Sequence, residues 1–201
     1  MAEPSWRAEP EADRTIEENW LFRLRAERHR SRRSGLVRDF YVLRLADAVS
    51  VVATTEDRRL VLVRQFRAGS GLDSLETPGG LVDPGEDPLV AGARELLEET
   101  GYVGDPPTLI GQAWSNPSLM DSKITTIHIG NARKVAEITP DHGEEVAVEL
   151  IDEREAQAFV ETGRIDHALS QLSLYAWLLR IRDSGFSSAE VRGDRAQIPG
   201  R

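Results

Sequence analysis

The sequence predicts an α+β fold, a mixed β-sheet with helices packed outside it. Three observations carry this. Alternating, β-branched segments recur at residues 48–54, 60–65, 108–113, 123–129 and 146–150, which is the period of strands. Residues 87–101 carry the start and stop signals of one amphipathic helix. A helical period returns at 152–160 and 166–182, so the order is strands, helix, strands, helix. A chain of 201 residues with 40% hydrophobic content suits one domain with irregular ends.

Taken in order, residues 1–16 are rich in Glu, Ala and Pro without a period and are expected to be a disordered tail. Next, Trp20, Phe22 and Leu24 alternate with polar residues, and Phe40 and Val42 do so after the basic turn HRSRRSG. This predicts an N-terminal strand extension over 17–37, ahead of a main domain over 38–183. Arg28, Arg30, Arg32, Arg33 and Arg38 in and beside the turn read as a solvated hairpin or as a phosphate-binding patch. The strands at 48–54 and 60–65 are joined by TEDRR as a hairpin. In the helix that follows, Asp87 can cap the first turn, Pro88 fits the first helical position, and Gly101 can take the left-handed stop.

Strands 108–113 and 123–129 flank WSNPSLMDS, where Asn116 and Pro117 mark a turn. Trp114 beside it reads as a base-stacking side chain or as a core or rim residue. The acidic turn ITPDHGEE, with His142 as one titratable group, precedes the alternating Val146, Val148 and Leu150. The helix at 152–160 ends near Gly163. The last helix starts from Asp166 as a cap, with Leu169, Leu172, Ala176 and Leu179 as one stripe for core or dimer packing. Residues 184–201 lack a period and are expected to be a second disordered tail.

Composition removes several function classes. With no cysteine there is no disulfide, zinc-thiolate site or thiol nucleophile. No apolar run is long enough to span a membrane and no signal sequence opens the chain, so a soluble cytoplasmic protein is expected. A net charge of −9 argues against binding nucleic acid or a membrane surface. An anionic small substrate then needs a metal and placed arginines.

The segment 80–102 supplies candidates for both. At roughly 100° per residue, Glu95, Glu98 and Glu99 fall on one arc of the helix, while Leu89, Ala93, Leu96 and Thr100 face a core. Like charges at this spacing destabilise a bare helix by a few tenths of a kcal/mol per pair. A divalent cation gives a reason for them, and hard oxygen ligands suit Mg2+ or Mn2+. A solvated acidic face is the alternative. The segment also fits G-x5-E-x7-R-E-U-x-E-E-x-G-U, where U is bulky and apolar, through Gly80, Glu86, Arg94, Glu95, Leu96, Glu98, Glu99 and Gly101. Seven specified residues coincide on the order of once in 10^8 windows at ordinary frequencies, which favours the metal reading. This pattern resembles the Nudix box. It departs from the family at Tyr102, usually Ile, Leu or Val, where an aromatic can also fill an apolar pocket.

Ahead of the box come RQFR at 64–67 and LETPGG at 75–80. An Arg at a strand end beside such a site can hold a phosphate by paired hydrogen bonds. The order of elements is similar to the ADP-ribose pyrophosphatase and nucleoside-diphosphate-sugar hydrolase branch of Nudix proteins, which carries RQ(Y/F)R and E-x-P-(A/G)-G. The resemblance spans about residues 38–182 and implies the Nudix α/β/α sandwich, with the N-terminal strands helping to build a homodimer and to cover a small nucleoside-diphosphate substrate. It implies Mg2+ held by Glu95, Glu98, Glu99 and the Gly79 carbonyl, with Glu86 as an outer ligand and Arg94 orienting the box carboxylates. Arg64, Arg67 and Glu76 fall at substrate-binding positions, and Glu144 or Glu145 at that of the catalytic base. The implied reaction is hydrolysis of a nucleoside diphosphate linked to X, such as ADP-ribose. Two other functions use the same fold: hydrolysis of oxidised nucleoside triphosphates, and a non-catalytic sensor of nucleotide sugars.

Overall fold

The computed structural model describes residues 3–139 and 145–183. Its first sheet is built largely by charge. β1 (Trp6–Ala8), a 3-10 turn (Pro10–Ala12), β2 (Arg14–Glu18), β3 (Arg23–Ser31) and β4 (Val37–Arg44) form four antiparallel strands. β4 pairs along the length of β3, while β1 and β2 pair with its two halves. Residues 3–16, expected to lack structure, are therefore part of a sheet. The reason is complementarity: Glu9 accepts from Arg30 at 2.7 Å, and Asp13 accepts from Arg25 at 3.1 Å and from the Arg28 amide at 2.9 Å. An acidic segment and an arginine-rich strand, neither with an apolar period, satisfy each other.

Two further expectations change here. Trp20 lies outside the strands, 91% exposed, in a bend where Asn19 Oδ1 accepts from the Leu21 and Phe22 amides. The N-terminal sheet extends to Arg44, seven residues beyond the boundary expected at 37, because β4 completes it. The arginines of the hairpin mostly face acids, Arg28 to Asp39 of β4 and Arg32 to Glu3 ahead of β1, while Arg38 stacks over Phe40. Arg44 ties this sheet to the rest of the chain by bonding both Glu27 and Asp121.

The second sheet is eight-stranded and mixed. Its members are β5 (Ala48–Thr55), β6 (Arg59–Arg67), β7 (Leu72–Glu76), β8 (Gly79–Leu81), β9 (Tyr102–Val103), β10 (Thr108–Trp114), β11 (Lys123–Lys134) and β12 (Val146–Asp152). The central order is β10-β11-β5-β6-β12, with β11 parallel to β5. Strand β5 is buried on both faces, as its nearly continuous apolar run requires. On one face Val49, Val51 and Ala53 meet α1 (Pro88–Thr100). On the other, Val52 joins Leu60, Leu62 and Leu75 under α2 (Ala156–Glu161) and α3 (Ala168–Asp183).

The stripe expected on α3 is displaced. Leu172 and Leu179 are exposed, while Ser170, Ser173, Leu174 and Trp177 are buried. The helix is apolar nearly all round, so periodicity does not choose its face. The choice is made by two serines that bond Thr77 and Thr126 across the interface.

What positions the site is a split in the sheet. β5 and β6 pair only at Ala53 with Val61 and Thr54 with Leu60. Beyond that they diverge, β7 continuing on β6 and β8 on β5. The chain crosses the gap at Thr77 and Pro78, whose carbonyl accepts from Val51 N at 2.8 Å.

Candidate active site

Helix α1 is punctuated at both ends as its sequence predicts. Asp87 accepts from the Leu89 amide, Pro88 opens the first turn, and Gly101 closes it at φ 74°. The helix lies close on the sheet at Gly92, where an added Cβ would stand 2.3 Å from Ile127 Cδ1. This approach sets the acidic face along the split, beside the glycines of β8.

Arg94 organises the carboxylates there. Its Nη1 donates to Glu95 Oε1 at 2.8 Å and to Glu98 Oε2 at 3.0 Å. Its Nε and Nη2 fork onto Glu86 at 3.2 and 3.1 Å, and Nη2 also reaches the Leu81 carbonyl at 3.3 Å. Hydrogen bonding to Glu86 is the largest influence pushing the guanidinium pKa up, against burial and with help from Glu95 and Glu98. In return Arg94, with the Asp83 amide, holds the Glu86 carboxyl below its usual range.

Glu99 is handled differently. It is 4% exposed, and its Oε2 accepts from the Gly79 amide at 2.9 Å while Gln65 Nε2 lies 3.5 Å from Oε1. Among the described residues, no three acidic or histidine side chains converge into a preformed metal cage, since each box carboxylate takes the protein donors in reach. The donor set nonetheless fits a hard divalent cation: three carboxylates along one helix face, and a turn in which Gly80 leaves the space its Cβ would fill to Glu95 Oε1, 2.5 Å away. Glu95, Glu98, Glu99 and Gly79 are the residues that would hold it.

At the end of β6, Arg67 donates through Nε and Nη2 to the two oxygens of Glu76, at 2.9 and 2.8 Å. Glu76 is 1% exposed. Expected as a substrate contact, it is instead closed off from solvent and holds Arg67. Arg64, also expected to face substrate, bonds Glu149 of β12 at 2.5 Å. Glu145 is exposed just before β12, whereas Glu144 and His142 lie outside the described residues. Trp114 is half exposed with Lys123 over its ring, a rim position.

Two residues of this region were not among the expected site residues. Gln65 sits between the arginines of RQFR, and its partner Glu99 is 34 residues away. His167 on the approach to α3 lies 3.1 Å from Glu76 Oε2, across 91 positions of chain. Only folding brings either pair together.

Fold and site together define a class: an α/β/α sandwich whose sheet splits to seat an acidic helix beside a glycine turn. The profile described as NUDIX domain matches residues 44–178. The chain belongs to the Nudix hydrolase family, whose members generally use a divalent metal. It is similar to the ADP-sugar pyrophosphatase of Mus musculus, 30% identical over 158 residues, 73% of this chain and 72% of that protein. Similarity to the ADP-ribose pyrophosphatase of Bacillus subtilis (strain 168) is 31% over 105 residues, 52% of this chain and 56% of that one. The alignment thus spans little more than half of the bacterial relative. A crystal structure of an ADP compounds hydrolase superposes with a TM-score of 0.80 over 92% of this chain and 98% of its own, at 21% identity, which bears out the α+β sandwich. No helix among the described residues is long and apolar enough to cross a membrane.

Proposed function

We propose that this protein hydrolyses the pyrophosphate bond of a nucleoside diphosphate linked to a sugar, ADP-ribose or a close analogue, with Mg2+ as the cation. The observation that carries this reading is the grouping at the sheet split of the box carboxylates, the Gly79–Gly80 turn and the Arg67–Glu76 pair. Relatives named for ADP-ribose and ADP-sugar pyrophosphatase activity support the substrate class.

In this reading Glu95, Glu98 and Glu99 bind the cation with the Gly79 carbonyl. When bound, it offsets charge on the diphosphate oxygens and lowers the pKa of an attacking water. Arg94 keeps Glu95 and Glu98 on the same side of the helix, and Gln65 with the Gly79 amide orients Glu99. Arg67, held in place by Glu76, binds the diphosphate, and Arg64 lies three residues before it on β6. A water oxygen forms a bond to one phosphorus, the bridging P–O bond breaks, and the leaving phosphate takes the electron pair. Glu145 or its neighbour Glu144 accepts the water proton. The products are a nucleoside monophosphate and a sugar phosphate.

The same reading makes the protein a cytoplasmic homodimer. The apolar side chains Ile16, Trp20, Leu36 and Tyr41, exposed around the N-terminal sheet, give a second copy something to cover.

The test is phosphate release, after coupled phosphatase treatment, from nucleoside-diphosphate sugars, oxidised triphosphates and dinucleotides, in Mg2+ and Mn2+. Turnover of a nucleoside-diphosphate sugar that disappears in Glu99→Gln supports the reading. Turnover confined to oxidised triphosphates, or tight binding of a nucleotide sugar without hydrolysis, sinks it.

A further inference from the structure

Helix α3 meets the sheet through two buried hydroxyls, and they go to different places. Ser173, fully buried, bonds Thr126 of β11 at 3.0 Å. Ser170, also buried, bonds the turn at the split instead. Its Oγ accepts from the Thr77 amide and from the Thr77 hydroxyl, both at 3.1 Å, and lies 3.0 Å from His167 Nδ1. With its proton given to Ser170, Thr77 Oγ1 accepts from Ser50 Oγ of β5 at 2.8 Å.

Thr77 lies between β7 and β8 and belongs to neither strand, so its amide falls outside the ladder. In a buried turn such an amide needs an acceptor, and Ser170 supplies it from 93 positions along the chain. The next carbonyl, that of Pro78, accepts from Val51 N at 2.8 Å. The turn is therefore held by β5 and by α3 together. One residue further on, the Gly79 amide donates to Glu99 Oε2 at 2.9 Å. Gly79 lies so close to β5 that an added Cβ would stand 2.1 Å from the Val49 carbonyl oxygen, and the direction of its amide follows from the turn before it.

We infer that Ser170 is a positioning residue for the cation site: by holding the Thr77 amide and hydroxyl it fixes the turn that aims the Gly79 amide at Glu99. This rests on the proposed role of Glu99 and the Gly79 carbonyl as cation ligands. Without the Ser170 hydroxyl the buried Thr77 amide loses its acceptor, and the turn shifts to find another or to admit water. Gly79 moves with it, carrying both the amide that orients Glu99 and the carbonyl beside it. Ser173 makes the same kind of bond from the next turn of the helix, but to β11, which does not pair with β8. It separates an effect on the turn from a general loosening of α3.

The experiment compares wild type, Ser170→Ala, Ser173→Ala and Thr77→Val by calorimetric Mn2+ titration without substrate, with thermal melts to confirm that each is folded. In parallel, the Gly79 amide resonance is followed by 15N NMR of the metal-free protein. Disturbing the group that orients a metal ligand predicts an Mn2+ Kd raised about 10-fold in Ser170→Ala and within about 2-fold of wild type in Ser173→Ala. The Gly79 signal moves in the first and stays in the second. Equal Mn2+ affinity in the two serine variants overturns the inference. If Ser170→Ala does not fold, Thr77→Val, which removes the hydroxyl half of the anchor and keeps the amide, decides: a Kd raised about 3-fold supports the inference and an unchanged one overturns it. If wild type binds no Mn2+, the reading of the box as a cation site fails. A Gly79 signal that moves in Ser170→Ala but not in Ser173→Ala then still supports the role of Ser170 in the turn, and one that does not move refutes it.

Discussion

Adding one methyl at Gly79 and at Gly80 should give opposite failures. At Gly79, φ is +156° and a Cβ would stand 2.1 Å from the Val49 carbonyl oxygen and 3.0 Å from Ser50 Cα. Both are backbone atoms of the central strand, so nothing small can move aside. Overpacking of this kind costs about 3 kcal/mol, which for a domain of this size lowers Tm by roughly 6–12 °C. At Gly80 the new Cβ meets Glu95 Oε1 at 2.5 Å and Cδ at 2.6 Å, the far end of a flexible side chain. Glu95 swings away and loses its bond to Arg94, which keeps Glu86 and Glu98. A pair with the arginine one-third exposed contributes only about 0.2–1 kcal/mol. The displaced carboxylate is, however, one of the three read as cation ligands, so cation affinity should fall at least ~10-fold. Thermal melts and calorimetric Mn2+ titration separate the two. Gly80→Ala that binds Mn2+ as tightly as wild type would remove Glu95 from the ligand set, and Gly79→Ala that melts with wild type would refute the register of β8 on β5.

Three other outcomes follow from the same geometry. Glu99→Gln should lower hydrolysis on the order of 10²-fold while Tm changes little, because an amide oxygen still accepts from the Gly79 amide and Gln65 can turn to match; full activity would exclude Glu99 from the metal site. Glu145→Gln should lower kcat by about 10²- to 10⁴-fold with Mn2+ affinity unchanged if it is the base, and an unaffected rate shifts that role to Glu144. Stability should fall in two steps on acidification, read by urea melts across pH. His167 and His128 are held below 6.5 in the fold, chiefly by burial, so the unfolded chain takes up their protons first and stability drops as pH falls below 6.5. Glu76 is held below 4.5, so its contribution is whole above 4.5 and is lost as pH falls through its lower folded value. His167→Asn should flatten part of the first step only, and Glu76→Gln the second; an unaltered acid limb in both would contradict the burial described.

The same contrast between local and distant causes separates what the sequence shows from what it hides. Asp87, Pro88 and Gly101 bound α1 by backbone rules that act within a few residues, so the helix and its acidic face were legible from the chain alone. Strands β5, β6, β10, β11 and β12 were legible for a similar reason, since burial of one or both faces leaves an apolar period. The box motif then connected the helix to a family, and the family profile over 44–178 agrees. In the N-terminal sheet the hairpin of β3 and β4 was legible, but β1 and β2 were missed because that segment is held by ion pairs such as Asp13 with Arg25 and Arg30 with Glu9, and pairing of opposite charges leaves no period.

The site was legible as a set of residues but not as an arrangement. Spacing placed Glu95, Glu98 and Glu99 on one arc, yet nothing local distinguishes Glu99, bonded to the Gly79 amide, from Glu95 and Glu98, bonded to Arg94. Glu76 lay in a motif, and only the divergence of β5 from β6 shows it buried and paired with Arg67. His167 lies in a helical approach segment with no motif at all, and its meeting with Glu76 depends on α3 packing across the split. The sequence by itself determined the helix, the sheet strands and the chemical class of the site, because those follow from backbone geometry and burial along the chain. Tertiary structure alone decided which carboxylates face the arginine, the backbone or the interior, because hydrogen bonds between distant segments carry no trace in local spacing.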